Sequence, residues 1–220
     1  DMIETSSLYF CRLDVFQDKL EGTQPDGSMY FAINTQNPWQ IQERMVADLY
    51  LKLYRNMTFV NCWHINENEN FEMWKNYSLH NENRGVAIQT TFGDLVQSIA
   101  DERKITDLKI KYVDFQTYNL SYFMANPHNF FRFKDLPYSY ESELRLITFE
   151  DTYPEINEDK LLTEEIDLPN SHIGERISVD LNVLIKSIYL PPNCTEDFSC
   201  SVNNLLVNTK LNQLVKKSEL

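Results

Sequence analysis

PYSYESELRLITFE, residues 137–150, decides how this chain is read. Successive side chains of a strand point to opposite faces. Over Tyr140–Thr148 this puts Glu141, Glu143 and Arg145 on one side and Leu144 and Leu146 on the other. The leucine side is expected to bury. The other side then presents two carboxylates and a guanidinium in a row about 13 Å long. Close like charges raise at least one carboxyl pKa, and a neighbouring guanidinium lowers it again. Active sites are built from such couplings, and so are structural ion-pair networks.

Working outward, the flanks supply a scaffold. SLYFCRL (7–13) and MTFVNCWH (57–64) are apolar, aromatic runs free of Gly and Pro, the composition of core strands. Asn37-Pro38 opens a helix to Asn56 with Ile41, Met45, Leu49 and Leu53 every four residues, an apolar stripe that buries Met45 and Leu49. FEMWKNYSLH (71–80) is expected as a short helix with Trp74 and Tyr77 three apart, either core packing or a platform for a flat ring. RGVAIQT (84–90) and ITDLKIKYVDF (105–115) read as strands, FGDLVQSIADE as a helix, and ISVDL and IKSIYLPP as strands around a short turn. Thr195 caps a last helix with Phe198, Val202, Leu205 and Leu206 inward. The acidic stretch 151–172 is expected as a solvated excursion. The whole predicts an α+β fold: a mixed, mostly antiparallel central sheet flanked by helices in a single domain, residues 1–210, with 211–220 a flexible tail.

Composition removes several classes. Five glycines and no glycine-rich phosphate loop argue against P-loop and dinucleotide-fold enzymes. A net charge of −13 disfavours a broad nucleic-acid surface but leaves room for a local basic pocket. No apolar run is long enough to span a membrane. The opening DMIETSS has no signal-segment pattern, and its start on Asp1 leaves room for a longer natural chain. Cys11, Cys62, Cys194 and Cys200 show no Cys/His ligand spacing, so no structural metal is expected. The expectation is a reduced, cytoplasmic protein of undetermined oligomeric state.

With LYFCRLDVFQDKLEG, VNCWHINENENFEMWKNYSLHNENRGVAI, FKDLPYSYESELRLI and ISVDLNVLIKSIYLPP in this order, the chain resembles a bacterial family known as domain of unknown function 2971. The resemblance covers residues 8 to about 206. The family usually shows Asn-Asp-Pro where this chain has Gln17-Asp18-Lys19, so Asp18 is kept and its proline turn is not. The resemblance groups Asp18, Glu21, Trp74, Tyr77, Arg84, Gly85, Lys134, Glu141, Glu143 and Arg145, and carries no agreed activity.

The order Arg12, then the Asn61–His64 strand exit, then Glu141-Ser142-Glu143 follows that of ADP-ribosyltransferase-like enzymes, without their middle-strand Ser-Thr pair. Chemistry at the glycosidic carbon of NAD is therefore the leading expectation. Glu143 would stabilise the oxocarbenium-like ribose and Glu141 would orient the acceptor or a water. Arg12 with Arg84 or Lys134 would hold pyrophosphate. Trp74 and Tyr77 would sandwich nicotinamide, and Arg145 and His64 would complete the NAD site. The acceptor would be water, a protein or a nucleic acid. One alternative is a metal-dependent nuclease using Asp18, Glu21, Glu141 and Glu143. Another is a non-catalytic module of a phage-defence or toxin–antitoxin locus that binds a nucleotide ligand.

Overall fold

The computed structural model describes residues 1–23, 25, 48–78, 84–118, 131–150 and 172–220. These fall into two compact units, one formed by 1–8, 66–102 and 176–220 and the other by 9–65 and 103–175. The class is α+β, as the sequence predicts. The main sheet has five antiparallel strands in the order β4 (Thr106–Lys109), β7 (Glu143–Phe149), β2 (Thr58–His64), β1 (Ser7–Arg12) and β8 (Gly174–Ser178).

In the second unit, β2 and β7 pair from Thr58↔Phe149 to His64↔Glu143. Residues directly opposite share a face, so Val60, Cys62 and His64 lie with Ile147, Arg145 and Glu143. That face carries the apolar core of Leu13, Leu51, Val60, Leu108, Phe131 and Ile147. The helical residues 48–56 supply Leu51, and Leu49 and Leu53 are buried as their spacing predicts. Met45 lies outside the described residues, as do the excursion expected over 151–171 and residues 119–130.

Two expectations change here. The run 105–115 is not one strand. It breaks at Ile110, whose N–H donates to the Glu143 carbonyl, and continues as β5 (Lys111–Val113), paired in parallel with β6 (Phe133–Asp135). The predicted strand over Tyr140–Thr148 begins only at Glu143. Residues Leu136–Glu141 form a 3-10 turn with Pro137 in its first turn and the Asp135 carboxylate accepting from the Leu136 N–H. Ser142 then takes a left-handed conformation, φ 39° and ψ 57°, and reverses the chain into β7.

In the first unit, helix Phe71–Tyr77 is capped by Asn70, helix Phe92–Ser98 by Thr91 and helix Glu196–Leu206 by Thr195, each side-chain oxygen accepting an otherwise orphaned backbone N–H. Leu206 is buried, whereas Leu205, expected inward, is exposed. The strand expected at 177–181 lies earlier, at Gly174–Ser178, the one expected at 185–192 is shortened to Ser187–Leu190, and a helical turn, Leu181–Leu184, lies between them. The stretch expected as a tail, 211–220, carries a buried residue and a strand. Leu211 is buried in a 3-10 turn, and β10 (Val215–Lys217) pairs in parallel with β9 (Ser187–Leu190), which pairs antiparallel with β3 (Ala87–Gln89).

Candidate functional site: a buried carboxylate cluster

The end of the β2–β7 face toward His64 is charged, and it is buried. Arg145 is 0 % exposed and Glu143 4 %, so this row faces inward. Arg145 donates from Nε to Glu143 Oε1 (2.7 Å), from Nη2 to Glu143 Oε2 (3.1 Å) and Glu21 Oε2 (2.7 Å), and from Nη1 to the Phe131 carbonyl (3.2 Å). Lys134, from β6, bridges three carboxylates: Glu141 at 2.5 Å, Glu21 at 2.9 Å and Glu143 at 3.3 Å. Its ammonium also lies 4.9 Å from the centre of the Tyr138 ring. Glu141 reaches this point from the 3-10 turn, not from the strand.

Two members had no part in the expected NAD site. Glu21, 1 % exposed, holds both cations at once. Its position depends on Gly22, at φ +70°, where a Cβ would lie 2.9 Å from Leu13 Cδ2 and 3.1 Å from Phe131 Cδ1. The Glu21-Gly22 pair is the signal available in the sequence. Tyr112, opposite Lys134 across β5 and β6, accepts the Glu143 backbone N–H with its hydroxyl at 2.8 Å. An aromatic on a short strand gives no such signal.

The electrostatics follow from packing. Burial alone would raise the Glu143 carboxyl, but Arg145, by charge and hydrogen bond, and Lys134 outweigh it and hold the pKa down at about 2. Burial would likewise lower Lys134, yet Glu21, Glu143 and the Glu141 hydrogen bond hold its ammonium well above the ordinary range. The Tyr112 hydroxyl is pushed up to about 12, chiefly by desolvation. The Cys62 thiol is raised by desolvation and then by Glu143, which leaves it a poor nucleophile. As a residue Cys62 nevertheless keeps solvent-exposed surface.

His64, opposite Glu143, directs Nδ1 at the Glu141 carbonyl, 2.5 Å away. Its Nε2 is buried with no protein hydrogen-bond partner, and so is Asp18 Oδ2. Asp18 is the leading cause of a raised Tyr138 hydroxyl, and its Oδ1 accepts the Leu20 N–H.

No known protein family, curated protein or solved structure matches this chain.

Among the residues expected at the site, Glu141, Glu143, Lys134, Arg145 and His64 come together. Lys134, expected on pyrophosphate, and Arg145, expected in the NAD site, are ion-paired to internal carboxylates. Arg12 spends its guanidinium on Asp14 (2.6 Å) and the His172 carbonyl (2.9 Å). Trp74, Tyr77 and Arg84 belong to the other compact unit. There Trp74 is 7 % exposed and Tyr77 63 %, so the two rings do not form one wall. The Trp74 indole N–H donates to Glu69 Oε2 at 2.9 Å, and Glu69 Oε1 accepts the Glu219 N–H. Arg84 is exposed ahead of β3. Among the described residues no group of three or more His, Cys, Asp or Glu is placed to hold a metal ion, and no helix is long and apolar enough to cross a membrane.

Proposed function

We propose that this chain acts at the N-glycosidic carbon of NAD, as an ADP-ribosyltransferase-like transferase or an NAD glycohydrolase. The observation that carries this reading is the charge excess. Among the described salt bridges, Glu21, Glu141 and Glu143 share Lys134 and Arg145, three carboxylates to two cations. Arg55 lies within electrostatic reach of Asp14, Glu21 and Asp18. Surplus negative charge in a desolvated place is costly unless something positive answers it. The ribose carbon becomes positive as nicotinamide leaves, and fixed charge acts on it without reorganisation. The ribose end of the substrate is what this arrangement addresses.

The metal-nuclease alternative fares worse, because three of the carboxylates it needs, Glu21, Glu141 and Glu143, are already ion-paired to Lys134 and Arg145. One rival keeps support: each charged side chain of the cluster has a partner within the chain, the mark of an internal brace. A non-catalytic nucleotide-binding module of a defence or toxin–antitoxin system would be built in the same way.

Incubating the protein with NAD, with and without candidate acceptors, and measuring released nicotinamide tests the reading. Glu141→Gln keeps shape and hydrogen bonding but removes one charge, and the rate is expected to fall about a hundredfold or more. NAD affinity should change far less, since the ground state carries little of the charge of the transition state. Intact NAD in every arm overturns the reading. Binding without turnover favours the module, and EDTA-sensitive cleavage of labelled RNA or DNA favours the nuclease.

A further inference from the structure

The geometry points to His64 as the general base that activates the attacking water or hydroxyl at this cluster, an inference that rests on the proposed NAD chemistry. A carbonyl oxygen only accepts, so the contact to the Glu141 carbonyl places the proton of the neutral ring on Nδ1. Nε2 is then the nitrogen with the free lone pair, and it is the buried atom that no group of the protein satisfies. Buried polar atoms are overwhelmingly hydrogen-bonded, and an exception calls for a reason. Here the fold fixes the tautomer with one nitrogen and leaves the other ready to accept a proton.

The placement fits that task. His64 is the last residue of β2, directly opposite Glu143 at the start of β7, so the ring shares the cluster's face. The ionisable groups around it are Cys62 from its own strand, Glu143 and Arg145 from β7, Glu141 from the 3-10 turn, Lys134 from β6 and Tyr112 from β5. Cys62 does not compete as a base, because its thiol is held protonated. Lys134 and Arg145 cannot accept a proton, and Glu143 is too acidic to hold one.

The step balances. The O–H proton of the nucleophile passes to His64 Nε2 as its oxygen bonds to the ribose C1′. The C1′–N bond breaks, and its electron pair neutralises the pyridinium, so nicotinamide leaves uncharged. With water the products are ADP-ribose and nicotinamide, and the proton on His64 returns to solvent.

His64→Asn separates the base from the brace. The Asn amide nitrogen stands where Nδ1 stands and still donates to the Glu141 carbonyl, while the basic nitrogen is gone. The expected result is a loss in kcat on the order of 10²–10⁴-fold, with unchanged NAD affinity and melting temperature. Added imidazole should restore part of the rate. Nitrogen-15 spectra of the wild-type histidines, with His64 assigned from the variant, should show the Nδ1–H tautomer. Wild-type turnover with an equally active His64→Asn protein sinks the base and spares the NAD reading. No nicotinamide release from the wild type sinks both. A proton found on Nε2 in the neutral ring overturns the inference whatever the activity.

Discussion

At one end of β7, Ile147 packs against Val60, Leu108 and Phe131 with no polar partner to satisfy. Two residues away on the same face, Arg145 is buried just as deeply and makes four hydrogen bonds to do it. The apolar end gains from every area it removes from water and tolerates small changes of shape. The charged end pays the desolvation of five ionised groups and recovers it only through complete pairing. The difference teaches that equal burial does not mean equal tolerance. A methylene removed at one end is an inconvenience, and a charge removed at the other leaves its partners stranded.

The largest expected effect breaks the comparison directly. Arg145→Met keeps much of the volume and leaves Glu21 and Glu143 without their common cation, so stability should fall by about 3–5 kcal/mol. Ile147→Val at the apolar end should cost only about 0.5–1.5 kcal/mol. Urea unfolding of both variants measures the contrast. An Arg145→Met protein no less stable than Ile147→Val would mean that the cluster is not a closed network.

Lowering the pH removes the same pairing without a mutation. Glu143 has a folded pKa of about 2 against an ordinary 4.5. Because the folded value is depressed, its stabilisation is fully present above pH 4.5 and is lost as pH falls from there toward 2. The linked loss is roughly 3 kcal/mol. Acid unfolding followed by far-UV circular dichroism should show it, and Arg145→Met should remove much of the slope in that window. A parent stability curve flat from pH 4.5 to 2 would contradict the assignment.

Much of the scaffold could be read from the chain. The apolar runs gave β1 and β2, the four-residue spacing gave the buried Leu49 and Leu53, and Asn70, Thr91 and Thr195 stand at the starts of helices. Glu143, Arg145 and Lys134 were singled out from the sequence, yet alternation placed only the opposite, leucine face in the core. Period-two patterning separates the two faces of a strand but does not say which is inside when the charged face brings its own counter-ions. Tyr112 was missed, and Glu21 was grouped with the site but given no part in the NAD reading, because their partners lie far away in sequence: Glu21 meets Arg145 124 positions on, and Tyr112 meets Glu143 31 positions on. The sheltering of the C-terminal strand β10 beside β9 was illegible for the same reason, since a short basic segment reads as a tail until its pairing partner is known.

The smallest expected effect concerns the hinge that brings Glu141 to Lys134. Had the strand run through Ser142, Glu141 would continue the row of Glu143 and Arg145; instead Ser142 sits at φ 39° and turns Glu141 back. A left-handed residue with a Cβ carries a strain of about 1–2 kcal/mol. Glycine relieves that strain but loses more conformational freedom on folding, about 0.5–1 kcal/mol. Ser142→Gly should therefore leave stability within about 1 kcal/mol of the parent, on the favourable side. Valine, branched at Cβ and poorly suited to positive φ, should be clearly worse than the parent. An extended Ser142 reverses the order, because a strand position favours valine and penalises glycine. The ranking of the two variants in urea thus reports the backbone geometry at this one residue. Valine more stable than glycine would return Glu141 to the strand and take it away from Lys134.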